Sequence, residues 1–129
     1  DKNNNYLELL NLYINNEKKH CNGDIILKKD FPVYFNSINN ERIITVDNPF
    51  NDPRTKELTD SYLIPLNIKS KLDAPVRFEG KVIGVLCNEY TEKTHNWQLD
   101  EQSFCASIAD IISIAIELNR RKRVEHMIF

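Results

Sequence analysis

Few side chains in this sequence could support nucleophilic chemistry. Cys21 directly follows His20, and a thiol beside an imidazole is a pairing that can activate a nucleophile. Both residues fall in a polar stretch, Asn15 to Gly23, that predicts a turn between two strands. A reactive thiolate needs a shaped pocket that lowers its pKa. We therefore interpret the pair as part of an ordinary turn and assign no catalytic residue.

The other two cysteines lie in apolar patterns. Cys87 follows a strand-like run, and Cys105 lies on the apolar stripe of a predicted helix, so both are interpreted as small buried hydrophobic residues. Three cysteines without a CxxC pair argue against a disulfide framework or a zinc site. Free thiols are typical of a reducing compartment, so we expect a cytoplasmic protein.

The histidines do not form a metal-binding motif. His20, His95 and His126 are far apart and fall in a predicted turn, loop and tail. Zinc and haem both need converging ligands, and the sequence places none together. We predict no metal site, and the identity of any cofactor stays open.

Charge and hydropathy exclude two classes of partner. The formal net charge is -2, so no basic surplus predicts binding to nucleic acid or to an anionic membrane. No segment approaches the roughly 20 apolar residues needed to span a bilayer. We expect neither nucleic-acid binding nor membrane insertion.

The first half of the chain alternates between strand and helix patterns. Tyr6 to Ile14 predicts a half-buried strand, and Ile25 to Leu27 a short extended piece. Asp30 as the N-cap and Pro32 in the first turn predict a helix that ends near residues 39–40. Ile43 to Val46 predicts a strand. Asp52-Pro53 begins a short helix, and a further helical turn follows over residues 61–66.

The second half predicts a hairpin and a long helix. Apolar residues alternate from Leu72 to Phe78, Gly80 forms the turn, and the return strand runs from Lys81 to Tyr90. The first strand contains Pro75, which favours an edge position or a bulge there, whereas the return strand is apolar on both faces and is predicted to be central. Gly84 in that strand predicts close approach by another element. The helix begins near Asp100 and carries an apolar stripe at helical spacing: Phe104, Ile108, Ile111, Ala115 and Leu118. The expected fold class is α+β, with helices on the faces of an antiparallel sheet.

Three stretches of sequence resemble the GAF family of bacterial histidine kinases and diguanylate cyclases. Asp30-Phe31-Pro32-Val33-Tyr34-Phe35 with Glu41-Arg42 is similar to one family segment, and Asp47 to Leu63 to another. The hairpin with Gly84-Val85-Leu86-Cys87-Asn88-Glu89, followed by Trp97 to Phe104, is similar to the end of the family pattern. The resemblance extends from Tyr6 to about Glu125.

This resemblance implies a GAF-like (PAS-like) central antiparallel sheet in a single domain over residues 1–125. Family members begin with a helix and a strand that are absent before Tyr6, so we expect a domain lacking its first strand, with Asp1 to Asn5 as the turn that followed it. Residues 119–129 are expected to begin a C-terminal signalling or linker helix.

The family binds ligands between the sheet and its short helices, so the resemblance implies a pocket in the same place. The candidate ligand-binding residues are Tyr34, Phe35, Arg42, Tyr62, Leu63, Leu72 and Ala74. Arg42 and Arg77 are the charged candidates for holding an anionic ligand. The same aromatic and aliphatic side chains could instead simply fill the core.

The resemblance also implies a function. We expect a regulatory small-molecule-sensing domain that passes a conformational signal through its C-terminal helix to an output domain outside this chain. A homodimer through that helix is expected, with a candidate face of Ile112, Ile116, Asn119 and Arg123. Neither the His20-Cys21 order nor Asp100-Glu101 alone matches the family's bilin or cyclic-nucleotide signatures.

Two other functions stay open at the level of sequence. One is a ligand-free dimerisation module whose pocket is filled by side chains. The other, the least favoured, is a thiol-dependent redox enzyme similar to GAF-type free methionine sulfoxide reductases, whose loop cysteines neither Cys87 nor Cys105 matches.

Overall fold

The computed structural model describes residues 6–8, 12–14, 19–21 and 25–128. The predicted turn at Asp1 to Asn5 therefore lies outside the described residues. Among the described helices, none is long and apolar enough to cross a membrane.

The N-terminal strands form antiparallel pairs. Strand β1 (Tyr6–Glu8) pairs with β4 (Ile25–Leu27), and β2 (Leu12–Ile14) pairs with β3 (Lys19–Cys21). The two pairs share one register, as expected for two parts of a single hairpin. The predicted strand and extended piece are confirmed in these described parts. The turn predicted over residues 15–23 is wrong at β3, because residues 19–21 pair with β2.

Helix α1 (Pro32–Asn40) begins with proline at its first position and ends where the sequence predicts. The predicted cap is wrong. The N-cap residue is Phe31, and it makes no side-chain hydrogen bond to the helix. The N–H of Tyr34 instead donates to Oε1 of Glu57 at 2.7 Å. A carboxylate from a distant segment thus satisfies one of the free N–H groups in the first helical turn.

Strand β5 (Ile44–Val46) is followed by a loop that Arg54 holds by hydrogen bonds, and then by two short helical turns. The guanidinium of Arg54 donates to carboxylate oxygens of Asp52 and Glu41 at 2.9 Å each, and to the backbone oxygen of Thr45 at 3.0 Å. This hydrogen bonding to Arg54 lowers the pKa of Asp52. A 3₁₀ turn (Lys56–Leu58) and a π-helical turn (Thr59–Leu63) complete the segment.

The described strands of this sheet are antiparallel, in the order β5, β6 (Ser70–Phe78), β7 (Lys81–Tyr90). The predicted hairpin is confirmed. Strand β6 lies between β5 and β7 despite Pro75, so its predicted edge position is wrong, and the alternative prediction of a bulge is the one that the register supports. A register shift between Val76 and Arg77 bends β6 just after the proline, as expected where a ladder donor is missing.

Two apolar clusters cover the two faces of the sheet. On one face, α1 and the short helical turns pack around Tyr34, Phe35 and Leu63. On the other face, Leu72, Ala74 and Val76 of β6 pack against Trp97, Cys105 and Ala109. Because alternate residues of a strand point to opposite faces, β6 is covered from both sides and is buried from Ser70 to Val76.

The long helix α2 (Leu99–Ile128) begins with Asp100 and Glu101 in its first turn, as predicted. The predicted core stripe is wrong at four positions, one of which is the exposed Ala115. Phe104, Ile111 and Leu118 are 67%, 59% and 52% exposed. The side that contacts the sheet is offset from this stripe and includes Cys105, Ala109 and Ile112. Both sides are apolar, so spacing alone did not identify the buried one.

The two glycines of the hairpin differ in backbone conformation and in the space around them. Gly80 has a φ of +78°, the left-handed region of the turn, whereas a Cβ at Gly84 would meet nothing within 4 Å. The predicted close approach at Gly84 is therefore wrong for the described residues.

We expect Gly80→Ala to lower the free energy of unfolding by about 1–2 kcal/mol, because a Cβ is strained at positive φ. Gly84→Ala should leave it unchanged or raise it by up to about 1 kcal/mol, because a strand glycine costs backbone entropy. Urea denaturation of the two variants measures the difference. Equal destabilisation by both would contradict the assigned turn geometry.

Candidate functional site

A cluster of charged and phenolic side chains is buried between α1 and the sheet. It consists of Lys71 and Asp73 on β6, Glu89 on β7, Tyr34 on α1 and Tyr62 in the π-helical turn, and we call it the Lys71 cluster. The side chains of Lys71, Asp73 and Glu89 are only 2%, 1% and 9% exposed. Charged groups are almost never buried so completely unless they are paired.

Strand register brings the three charges together. Lys71 and Asp73 are two residues apart on β6 and so share one face, while Glu89 lies directly opposite Lys71 on β7. The ammonium Nζ of Lys71 donates to Oδ1 of Asp73 at 2.8 Å and to Oε2 of Glu89 at 3.1 Å. One lysine therefore bridges two carboxylates.

The two tyrosines complete the cluster from the helical side. The hydroxyl of Tyr34 donates to Oδ2 of Asp73 at 2.5 Å, and that of Tyr62 donates to Oε2 of Glu89 at 2.8 Å. Their ring centroids lie 5.8 Å and 5.2 Å from Nζ of Lys71, within the range of cation–π attraction. The ammonium is thus held by two carboxylates and flanked by two aromatic faces.

The surroundings of the two tyrosines and of Lys71 determine their protonation states. Removal from water, reinforced by the charge of Asp73, raises the pKa of Tyr34 well above its ordinary value. Burial likewise raises the pKa of Tyr62. For Lys71, burial alone would lower the pKa, but the attraction of the surrounding acidic groups, Asp73 first, outweighs it and the pKa is raised. Near neutral pH the tyrosines are hydroxyl donors and the lysine is an ammonium.

The described thiols are not activated as nucleophiles. Cys87 lies on β7 opposite Asp73, where burial of the thiol among the cluster and the nearby carboxylate of Asp73 raise its pKa well above the ordinary value. Burial also raises the pKa of Cys105. A nucleophilic cysteine needs the opposite shift.

The predicted pocket residues divide between the two faces of the sheet. Tyr34, Phe35 and Leu63 pack on the α1 face, with Tyr62 beside them. Leu72 and Ala74 belong to the α2 face, because they alternate with Lys71 and Asp73 along β6. These two positions therefore do not line the space between the sheet and the short helices.

The two predicted arginines also lie apart from the cluster. Arg42 has a side chain that is 75% exposed and pairs with Asp110 of α2 at 3.5 Å. Arg77 donates to backbone oxygens at the end of α1. Both line a cavity of about 120 Å³ on the α2 side, together with Pro75, Ala106, Ala109 and Asp110.

Sequence reasoning missed the three charged members of the cluster. It used the apolar residues from Leu72 to Phe78 to predict the strand and assigned no site role to its charged residues. The signal that could have identified them is charge complementarity: lysine and aspartate share one strand face, and a glutamate lies across the hairpin from the lysine.

The histidines considered as metal ligands lie in separate parts of the chain. His95 lies in the loop before α2, stacked on Tyr90 with ring centroids 4.2 Å apart, and its Nε2 lies 2.9 Å from Oε2 of Glu101. In the described part of the chain, no group of three potential ligands could hold a metal ion. His20 lies in β3, and the structure does not describe the side chain of His126.

The candidate dimer residues lie on the sheet side of α2. Ile112 packs against the α2-face cluster, Ile116 is 40% exposed, and Asn119 and Arg123 are exposed beyond it. The side turned away from the sheet carries four exposed apolar residues, which we call the outer face: Phe104, Ile111, Ile114 and Leu118.

The raised pKa of Tyr34 predicts how stability depends on alkaline pH. Tyrosine in an unfolded chain has a pKa of about 10. The folded protein holds this proton more tightly, so the contribution of Tyr34 is complete below about pH 10 and is lost as pH rises above it. Tyr62 and Lys71 contribute with the same sign.

We expect Tyr34→Phe to cost about 1.5–3 kcal/mol at pH 8, because Asp73 loses a donor. The loss of stability between pH 9 and 11 should also be shallower in the variant, by up to about 1.4 kcal/mol per pH unit. Urea titrations of both proteins across this range measure the slopes. Identical slopes would show that the hydroxyl is not isolated from solvent.

Comparison with known proteins identifies the fold. The model of the GAF domain family matches residues 13–116. Among solved structures, the blue-light-absorbing form of the Thermosynechococcus elongatus PixJ GAF domain has a TM-score of 0.64 at 20% identity, covering 82% of this chain and 62% of that chain. The present chain thus spans less than two thirds of that structure's length.

Two further structures have the same fold. The GAF domain of a two-component sensor histidine kinase from Bacillus halodurans has a TM-score of 0.59 at 20% identity, covering 91% of this chain and 84% of that one. A type II free methionine-R-sulfoxide reductase from Thermoplasma acidophilum has a TM-score of 0.54 at 18% identity, covering 84% and 76%. The curated proteins provide no match.

These similar structures include sensory domains, one light-absorbing and one from a histidine kinase. At such low identities they show a shared fold, and the family match covers most of the chain. The layered sheet, the short helical turns and the long terminal helix all agree with that match, and this chain belongs to the GAF domain family.

Proposed function

We propose that this chain is a regulatory sensory domain that binds a small molecule at the Lys71 cluster and passes a conformational signal through α2 to an output domain. The observation that carries the proposal is the buried cluster itself. Five polar side chains from four elements converge in a space otherwise lined by apolar residues, which is the composition of a small-molecule site.

Burying these charges is costly for a merely structural core. Replacing a buried ion pair by apolar residues is often neutral or stabilising, so stability alone does not explain why charged residues occupy this part of the core. Recognition of a polar ligand does require charged groups fixed in a site that excludes water. The cluster is therefore better explained by binding than by stability.

A chain of hydrogen bonds joins the site to α2. Helix α1 carries Tyr34 at the cluster, and Nη2 of Arg77 donates to the backbone oxygens of Ile38 and Glu41 at the other end of α1, each at 3.0 Å. The hydroxyl of Ser113 on α2 donates to the backbone oxygen of Arg77. Movement of α1 would thus displace a strand position bonded directly to α2.

A second contact secures α2 to the tip of the hairpin. The guanidinium of Arg120 pairs with Glu79 at 2.7 Å and lies 5.2 Å from the ring centroid of Phe78. The output helix is therefore attached to β6 and the following turn at two points, seven residues apart along the helix. Both attachments respond to any shift of the hairpin relative to α1.

We propose that α2 forms a homodimer through its outer face. Phe104, Ile111 and Leu118 recur every seven residues, with Ile114 between the last two, which is the spacing of a coiled-coil seam. The helix has 30 residues and so extends about 45 Å. In a second copy of this chain, helix α2 carries apolar side chains at the same seven-residue spacing. This match favours a second copy as the partner of the outer face.

We expect Ile111→Glu to shift the protein from dimer to monomer in sedimentation velocity experiments, because it places a charge in the seam. Ile116→Glu is the matched control. It tests the face predicted from sequence, with the same change five residues along α2. Dissociation by Ile116→Glu and not by Ile111→Glu would place the interface on that face instead.

Two other functions have specific observations in their favour or against them. A ligand-free dimerisation module is favoured by the close packing at the cluster, where Tyr34 and Leu63 are 2% and 0% exposed. A thiol enzyme is disfavoured by the raised pKa of Cys87 and of Cys105.

We place the domain in the cytoplasm as part of a histidine kinase or diguanylate cyclase, in keeping with its free thiols.

Thermal melting against a panel of nucleotides, amino acids, amines and aromatic acids tests the proposed function. A ligand at about 100 times its dissociation constant should add roughly 2.7 kcal/mol, a shift of several degrees. Ligand binding should also change amide hydrogen exchange in α2. In Ser113→Ala, which removes the bond to Arg77, binding should persist while the change in α2 becomes smaller.

If no compound in the panel raises the melting temperature while the protein remains dimeric, the sensory proposal is overturned in favour of the dimerisation module. Binding with no change of exchange in α2 would overturn the proposed signal route. Arg121→Ala serves as the control for Ser113→Ala, because its side chain pairs with Glu117 within α2.

A further inference from the structure

The charge of the Lys71 cluster is unbalanced. It holds two carboxylates, of Asp73 and Glu89, and one ammonium. Within residues 27–125, whose side chains the structure describes, Lys71 is the one cation that pairs with either carboxylate. Among these described side chains, one negative charge is therefore in excess, and the three charged groups are almost fully buried, where uncompensated charge is costly.

The neutral members of the cluster do not remove this excess. Tyr34 and Tyr62 use their hydroxyls to donate to the carboxylates. Burial raises the pKa of both hydroxyls. The thiol of Cys87 is neutral for the same reason. Hydrogen bonds disperse the negative charge over several groups without cancelling it.

The arrangement around the ammonium is suited to a second cation. Carboxylate oxygens and tyrosine faces are the groups that recognise ammonium and guanidinium compounds. Glu89 is the most exposed of the three charged side chains, at 9%, and its Oε2 accepts hydrogen bonds from both Lys71 and Tyr62. Tyr62 is partly exposed, so its ring is the aromatic face nearest to solvent.

The segment that carries Tyr62 has an irregular backbone. It passes from a 3₁₀ turn into a π-helical turn and then into a turn with Asn67 at a φ of 54°. Short π-helical turns occur frequently at functional sites. Ile64 within this segment is 60% exposed. The irregular segment thus places the buried side chain of Leu63 next to the exposed side chain of Ile64.

Building on the proposed function, we propose that the ligand is a small organic cation, an alkylammonium or alkylguanidinium compound. Its charged group pairs with Glu89 against the ring of Tyr62, while Lys71 keeps its bond to Asp73. The bound state then contains two cations and two carboxylates and is neutral. The ligand-free state keeps the site closed by sharing Lys71 between both acids.

Calorimetric titration and thermal melting of the whole chain with four short probes test this inference. Propylammonium and propylguanidinium should bind and raise the melting temperature, whereas propionate and propanol at matched ionic strength should not. Glu89→Gln keeps the size of the side chain but removes its charge. We expect it to weaken cation binding roughly thirtyfold or more.

Two variants complete the design. Glu92→Gln, at an exposed position just after β7, is the matched control and should bind as the original chain does. Lys71→Met leaves two carboxylates without a cation, so its melting temperature should be lower and should rise more on addition of propylammonium than that of the original chain. Because Glu89→Gln changes no volume, the test holds even if Lys71→Met fails to fold.

The outcomes separate this inference from the proposed function. Cation binding that survives in Glu89→Gln, or equal binding of propionate, would overturn the inference. If another compound of the broader ligand panel binds but neither propylammonium nor propylguanidinium does, the cation inference is overturned and the sensory function is still supported. No response to any compound would overturn both.

Discussion

The ammonium of Lys71 is the interaction on which the rest of the structure depends. It neutralises part of the charge of Asp73 and Glu89, and without it β6 and β7 would place two carboxylates in the interior with no cation beside them. The tyrosines that donate to these acids come from α1 and from the π-helical turn. One lysine therefore determines how the helical layer packs on the sheet.

The alternation of residues along β6 explains why both faces of the sheet can be buried. Leu72, Ala74 and Val76 face α2 and form an ordinary apolar contact. Lys71 and Asp73 face α1 and are satisfied by specific partners. The α2 face stabilises the domain mainly by burying apolar surface, whereas the α1 face is held by hydrogen bonds that require defined geometry.

The local elements were predictable from sequence, because each depends on nearby residues. Pro32, Gly80 and the pair Asp100-Glu101 mark helix starts and a turn wherever they occur, and all three features are present. The order of strands, the buried side of α2 and the charged face of β6 depend on contacts between distant segments. Glu57 capping α1 in place of Asp30 is an example that no local pattern contains.

The candidate site shows the same division. Tyr34 and Tyr62 were selected as pocket residues because the family resemblance placed the pocket near them, and they meet at the cluster. Leu72 and Ala74 were selected by the same argument but lie on the opposite face. A resemblance transfers the approximate location of a site, while strand register decides which neighbouring residues enter it.

The continuity of α2 has a consequence for any domain joined after it. Each residue of an α-helix rotates the chain by about 100°, and the outer face keeps its direction only because its apolar positions recur every seven residues. A connection lengthened by seven residues would preserve the angular phase between the sensor and the following domain. A connection lengthened by two would turn that domain by about 200° and present a different surface to its partner.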